Sequence, residues 1–188
     1  MMTQFGLIGL GQNGIIVSDS FNRTDSAVTP GSADTGQTWS SATYGISSNQ
    51  LYNTASNFGQ CLLSNMPVDQ YTAQVTLATV DNVHQQFIIF RFVDTSNAFW
   101  AGNDTGIWRI TRNLAGVQTS LGTGAGTPAN GDVIKVTVNG TALKLYVNGT
   151  LKVSVVDANM PTGSTIGLWI TQSTTARLDN FTIKRGLR

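Results

Sequence analysis

The chain has 188 residues, 40% of them hydrophobic but only 11% charged, where roughly a quarter charged is usual. That length suits one domain able to bury its own core without disulfides or structural metals. A formal charge of +1, with no lysine run or basic stripe, argues against nucleic acid as a partner, and no apolar stretch approaches the ~20 residues that membrane insertion needs.

In chain order, residues 1–17 read as an extended N-terminal arm for assembly and residues 18–188 as the domain. The arm's apolar side chains are Phe5, Leu7, Ile8, Leu10, Ile15 and Ile16, interrupted by glycines, and it lacks the basic start of a secretion signal. Gly9-Leu-Gly11-Gln-Asn-Gly14 matches the dinucleotide fingerprint, yet that chemistry needs a helix next and then a second parallel strand. The adjoining residues, Ile15-Ile-Val-Ser-Asp19, read as extended instead.

Beyond the arm no window holds apolar residues at helical spacing between start and stop signals, so the chain reads as all-β. Cys61, beside Leu62 and Leu63, reads as a buried strand thiol and as the single cysteine can form no internal disulfide. Tyr71-Thr-Ala-Gln-Val-Thr-Leu-Ala-Thr79 alternates polar with apolar, the mark of a half-buried strand. Gln86-Phe-Ile-Ile-Phe-Arg-Phe-Val93 is denser, as in a central strand covered on both faces. Alternation returns in Ile107-Trp-Arg-Ile-Thr111 and across residues 133–156. There, turns at Asn139-Gly140 and Asn148-Gly149 predict a three-stranded meander with type I′ hairpins. About a dozen short strands with regular turns mean a sandwich or barrel. Five Asn-x-Ser/Thr triplets, at Asn22, Asn103, Asn139, Asn148 and Asn180, read as turn chemistry.

Several segments together carry a resemblance: Asp19-Ser-Phe-Asn-Arg-Thr-Asp-Ser26, Thr35-Gly-Gln-Thr-Trp39, Tyr44-Gly-Ile-Ser-Ser-Asn-Gln-Leu-Tyr52, Phe90-Arg-Phe-Val-Asp-Thr-Ser-Asn97, Gly131-Asp132, Tyr146-Val-Asn-Gly-Thr150, Gly163-Ser-Thr-Ile-Gly-Leu168 and Leu178-Asp-Asn-Phe181. In this order the chain resembles the concanavalin A-like, laminin-G-like jelly rolls, in particular those of bacteriophage virion proteins and of extracellular carbohydrate-associated modules. The resemblance implies an antiparallel two-sheet sandwich whose first and last strands pair. Phe21 and Phe181 would then point inward, with Asp19 and Asp179 at the rim. A fold of this kind hosts lectins, glycosidases and structural modules alike.

The candidate chemistry is sparse. Glycosidases of this superfamily resemble one another in two Glu on one strand, and retaining chemistry needs paired carboxyls about 5 Å apart. This chain has ten Asp, mostly at turns, and no Glu, so no catalytic residue is assigned. His84 is the sole histidine and reads as a turn residue; no Gly-x-Ser-x-Gly elbow accompanies it. No cofactor is expected; Ca²⁺ is the one ion considered, with Asp19 and Asp179, or Asp94 and Asn97, as its oxygen donors, against a plainer role in turn hydrogen bonding. The candidate sugar site is Asp94, Asn97, Trp100, Asn103, Asp104 and Trp108, around two adjacent turns, while Trp39 and Trp169 sit in core-like motifs.

These readings favour a non-enzymatic virion protein, a minor tail or capsid-decoration subunit on the outside of the particle. Its partners would be other virion proteins, copies of itself and cell-surface polysaccharide. The alternative is a carbohydrate-binding module of a secreted or surface protein; a glycosidase-like enzyme stands furthest off.

Overall fold

Fourteen strands succeed one another: β1 (Ile15–Asp19), β2 (Tyr44–Ser47), β3 (Gln50–Asn53), β4 (Cys61–Leu63), β5 (Gln70–Thr79), β6 (Gln85–Asp94), β7 (Asn97–Asp104), β8 (Ile107–Leu114), β9 (Val117–Gly124), β10 (Val133–Asn139), β11 (Ala142–Val147), β12 (Thr150–Val156), β13 (Thr165–Ile170) and β14 (Arg177–Arg185). The structure, a computed structural model, describes residues 14–67, 69–159 and 162–186. Eight strands form one antiparallel sheet in the order β12-β11-β10-β5-β14-β3-β2, with β1 also pairing β14, and six form the other in the order β4-β13-β6-β7-β8-β9. The expected two-sheet jelly-roll sandwich is therefore what the chain builds.

The alternation seen in the sequence sets which side chains fill the space between the sheets. Tyr71, Ala73, Val75 and Leu77 of β5 and Ile134, Val136 and Val138 of β10 point inward. They meet Ile88 and Phe90 of β6, Phe99 of β7, Trp108 and Ile110 of β8, and Ile166, Leu168 and Ile170 of β13. The Tyr44 hydroxyl, carried into this layer, accepts from the Ile170 amide at 2.6 Å and donates to its carbonyl at 3.1 Å. At one side the two sheets approach through β9 and β12, where a Cβ on Gly124 would lie 2.8 Å from Lys152 Cβ, so only glycine permits the contact.

The meander over residues 133–156 forms as predicted, with one turn displaced. Asn148 and Gly149 both have positive φ, 49° and 79°, as a type I′ loop requires. Asn139 instead pairs with Ala142, so the first loop is Gly140-Thr141 and only Gly140 (φ 54°) is left-handed. The Asn139 backbone is held in β10 by pairing with Gln70 on the other side.

Phe5, Leu7, Ile8 and Leu10 of the expected arm lie outside the described residues. Ile15 and Ile16 belong to the sheet instead: β1 runs antiparallel to β14, pairing Ile15 with Lys184 and Asp19 with Phe181. The domain thus starts before residue 18, because Val17 is fully buried and its neighbours must supply the strand that carries it. Phe21 and Phe181 face inward as expected, packed around Trp39 with ring centroids 5.9 and 5.4 Å from it. Asp19 is not at the rim. It is wholly buried and accepts from the Phe21 amide (2.8 Å), Arg23 Nη2 (2.6 Å) and Trp39 Nε1 (2.6 Å). Two of the sequence motifs, around Asp19 and around Trp39, are therefore halves of one buried polar knot.

Candidate functional site

The six residues expected to form one site divide between two faces of the six-stranded sheet. Trp100 and Asp104, at even positions of β7, point away from the eight-stranded sheet. Trp108 points the other way and is a core side chain, 1% exposed among the residues between the sheets. Asn103 is also internal; its Oδ1 accepts from the Gly106 amide at 2.9 Å and fixes the β7–β8 turn. Asp94 and Asn97 sit across the β6–β7 hairpin and bind each other, with Asn97 Nδ2 donating to the carboxylate at 3.0 Å and the Ser96 amide at 2.7 Å. That is turn capping, an Asx arrangement, and it occupies the atoms a ligand would use.

Around Trp100 and Asp104 the outer face of the sheet forms an open groove of about 460 Å³. Two cross-strand rows make its floor. One runs Trp169, Phe87, Gly102, Arg109 on β13, β6, β7 and β8; the next runs Ile89, Trp100, Thr111 on β6, β7 and β8. Gly102 matters here because no side chain rises between Phe87 and Arg109, and a Cβ at its φ of 153° would lie 2.4 Å from the Gln86 carbonyl. Gln118 and Ser120 of β9 line one side, and Phe58, 56% exposed, stands at the rim.

The two ends of this surface differ in chemistry. At one, Phe87, Ile89, Ala98 and Trp100 form a second apolar cluster, separate from the main core, against which Leu62, Phe92 and Trp169 pack. Trp169 is only half-buried and meets Trp100 edge-on, ring centroids 5.2 Å apart at 84°. An edge-on partner is a favourable aromatic geometry and fixes the ring in place. Trp169 Nε1 has no hydrogen-bond partner among the described residues. At the other end Asp104, 6% exposed, is ion-paired with Arg109 and accepts from Gln85 Nε2 at 2.7 Å. Both carboxylate oxygens are thereby engaged, and Arg109 is held by its pair rather than left to wave in solvent. The arrangement offers a rigid aromatic edge and face, and beside it a fixed set of amide, guanidinium and hydroxyl groups. It contains no nucleophile paired with a base.

The other candidate centres resolve as structural. Asp19 receives three N–H donors, so its oxygens do not fit a cation, and Asp179 Oδ1 accepts from the Asn180 amide at 2.8 Å. Burial pushes the Asp179 carboxyl above its usual range; the Asn180 amide opposes this and the charge on Asp19 adds to it. Among the described residues no three His, Cys, Asp or Glu side chains are grouped to hold a metal. His84 Nδ1 binds Asp81 Oδ2 at 2.7 Å, and the Ser173 hydroxyl donates to that same oxygen at 2.9 Å, so the serine is not aligned with the imidazole. Cys61 is buried in β4, and burial pushes its thiol well above the ordinary value, as the sequence predicted for an inert strand cysteine.

Sequence alternation could have placed both misassigned tryptophans. In β8, Trp108 shares parity with core Ile110 while Arg109 and Thr111 take the outer face; in β13, Ile166, Leu168 and Ile170 are core and leave Trp169 outside.

No protein-family model matches the chain, and no curated protein does. Among solved structures it is similar to the carbohydrate binding module CBM66 from Bacillus subtilis, at 15% identity and a TM-score of 0.57, over 79% of this chain and 92% of that one. It is similar to the Emp47p carbohydrate recognition domain at 13% identity and a TM-score of 0.62, over 95% of this chain and all (100%) of that one. A third similar structure is the exoplasmic/lumenal domain of VIP36 in a Ca²⁺/Man-bound form, at 8% identity and a TM-score of 0.60, over 82% of this chain and 86% of that one. At such identities the likeness establishes the fold alone, a two-sheet antiparallel jelly roll.

Proposed function

We propose that this domain is a carbohydrate-binding module whose site is the groove on the outer face of the six-stranded sheet. The observation that carries this is the half-buried Trp169 ring, braced by Trp100, beside the fixed Asp104–Arg109–Gln85 cluster. A sugar presents an apolar ring face and a periphery of hydroxyls, so it needs an aromatic surface and pre-set polar groups side by side. Two similar structures bear names that speak of carbohydrate, which supports the reading without assigning a ligand.

The test is a glycan array with the wild-type chain, followed by titration of the best binder against Trp169→Ala, Trp169→Phe and Gln118→Ala. Losing the stacking ring should weaken binding about tenfold or more, corresponding to roughly 1.4 kcal/mol. The Phe variant should recover part of it, and Gln118→Ala, exposed on β9, should weaken binding without lowering the melting temperature. A wild-type chain that binds no glycan, or Trp169→Ala and Gln118→Ala variants that bind like wild type, overturns the proposal.

The virion setting expected from the sequence rests on the sequence resemblance alone, and the glycan-binding reading is the better supported of the two because it has a site. Display on the outside of a tail or capsid, with the N-terminal segment docked on a neighbour, is tested by imaging the particle with and without this chain.

A further inference from the structure

The sequence has no basic stripe, but the fold assembles one. On the outer face of the eight-stranded sheet, opposite the groove, the register of β11, β10, β5 and β14 aligns Lys144 with Thr137, Thr137 with Thr72, and Thr72 with Lys184. The next row runs Tyr146, Lys135, Gln74, Thr182 and, across β1, Ser18. Their chain neighbours Leu145, Val136, Ala73 and Ile183 fill the core, so these side chains all stand outward. The two rows contain three lysines, hydroxyls and an amide, and no carboxylate.

None of the three lysines has an ion-pair partner among the described residues; every carboxylate pair there is made by Arg or His. Lys135 stands over the Tyr146 ring, its Nζ 4.7 Å from the centroid, a cation–π contact that orders the ammonium without neutralising it. Lys144 and Lys184 are three strand spacings apart, about 14 Å at ~4.8 Å per strand. A shallow trough of about 260 Å³ opens on this face beside Lys144, with Thr72, Thr137 and Tyr146 among its lining residues.

We infer that this face is a second binding surface, for an acidic polysaccharide laid across the strands. Carboxylate or sulfate groups on the polymer would meet the lysines, and its hydroxyls the threonine rows. A polysaccharide fits better than a nucleic acid. Three lysines on a chain of net charge +1 create no long-range field for a duplex carrying a charge every ~1.7 Å, and Tyr146, covered by Lys135, is no stacking platform for bases.

The experiment is affinity electrophoresis of the full chain in gels containing polygalacturonate, dextran sulfate or neutral dextran, with titrations of the retarding polymer at several salt concentrations and against duplex DNA. The expected result is retardation by a carboxylated or sulfated polymer and none by dextran. The log–log salt slope should be about 2 to 3 in magnitude, close to one counterion per lysine. Lys135→Gln with Lys144→Gln and Lys184→Gln should cut affinity at least tenfold at unchanged melting temperature, while Trp169→Ala leaves it intact, which separates this surface from the groove. Absence of retardation by both acidic polymers, or undiminished retardation of the triple variant, overturns the inference. Tighter binding to DNA than to either polymer through the same lysines reassigns the surface to nucleic acid and equally overturns it.

Discussion

Replacing Asp19 by Ala removes a wholly buried carboxylate that three donors share. Arg23 Nη2 and Trp39 Nε1 both donate to Oδ2, and the Phe21 amide to Oδ1. Arg23 keeps its bond to the Pro30 carbonyl at 2.7 Å but loses its buried counter-charge, and the Trp39 N–H is left sealed in the core with nothing to donate to. Breaking a buried pair by deleting one partner costs about 3–5 kcal/mol. For a 188-residue domain the unfolding entropy is about 0.4 kcal/mol per kelvin, so the melting temperature should fall by roughly 8–12 °C. Asp19→Asn sharpens the argument. If its oxygen serves the Phe21 amide, its NH₂ faces the two donors that used Oδ2, so it should rescue little. Differential scanning calorimetry of the three proteins decides the matter. An Asp19→Asn variant melting within about 2 °C of wild type would refute the idea that charge and acceptor geometry at Asp19, rather than side-chain volume, hold this end of the sandwich.

Trp108→Ala should destabilise the fold by about 3–5 kcal/mol, the usual cost of emptying a buried aromatic site, as chemical denaturation will show, whereas its glycan affinity per folded molecule should be unchanged. Burial would raise the Asp81 carboxyl, but hydrogen bonds from His84, Ser173 and the Val83 amide, with attraction to His84, hold it below its ordinary 3.8. A carboxyl depressed in the folded state contributes stability above its unfolded value and loses it as pH falls through the folded one. Thermal melts should therefore show acid sensitivity below about pH 4 that Asp81→Asn reduces. Asp179 carries the opposite sign, since its folded carboxyl is raised by burial and by Asp19. Asp179→Asn should accordingly raise the melting temperature at pH 7, with the gain shrinking as wild-type Asp179 takes up its proton on acidification.

The architecture was legible because β strands write their burial into the sequence with period 2. The nine alternating residues from Tyr71 to Thr79 became β5, and the unbroken apolar run from Phe87 became β6, covered on one face by the core and on the other by the aromatic cluster under the groove. The candidate groove was half legible. Trp100 and Asp104, which line it, stood out in the sequence because they flank a recognisable turn, but proximity in sequence also drew in Asn103 and Trp108, whose parity sends them inward. Trp169 and Arg109 were missed for a related reason: a tryptophan between Leu168 and Ile170 looks like core until the sheet is seen to have two apolar faces. Asp19 could not be read from the sequence at all. Its burial depends on Arg23 and Trp39 arriving through a loop without periodicity, and only tertiary contact reveals it. The lysine rows are equally invisible along the chain, since Lys135, Lys144 and Lys184 meet only through the register of four strands.

The pairing of Ile15 with Lys184 makes the described domain a graft with a single attachment point. Residues facing each other across antiparallel strands have Cα atoms about 5 Å apart, a gap that an ordinary surface turn of another protein already spans. Residues 15–184 can therefore be spliced into such a turn without parting the host's backbone, leaving the outer faces of both sheets uncovered.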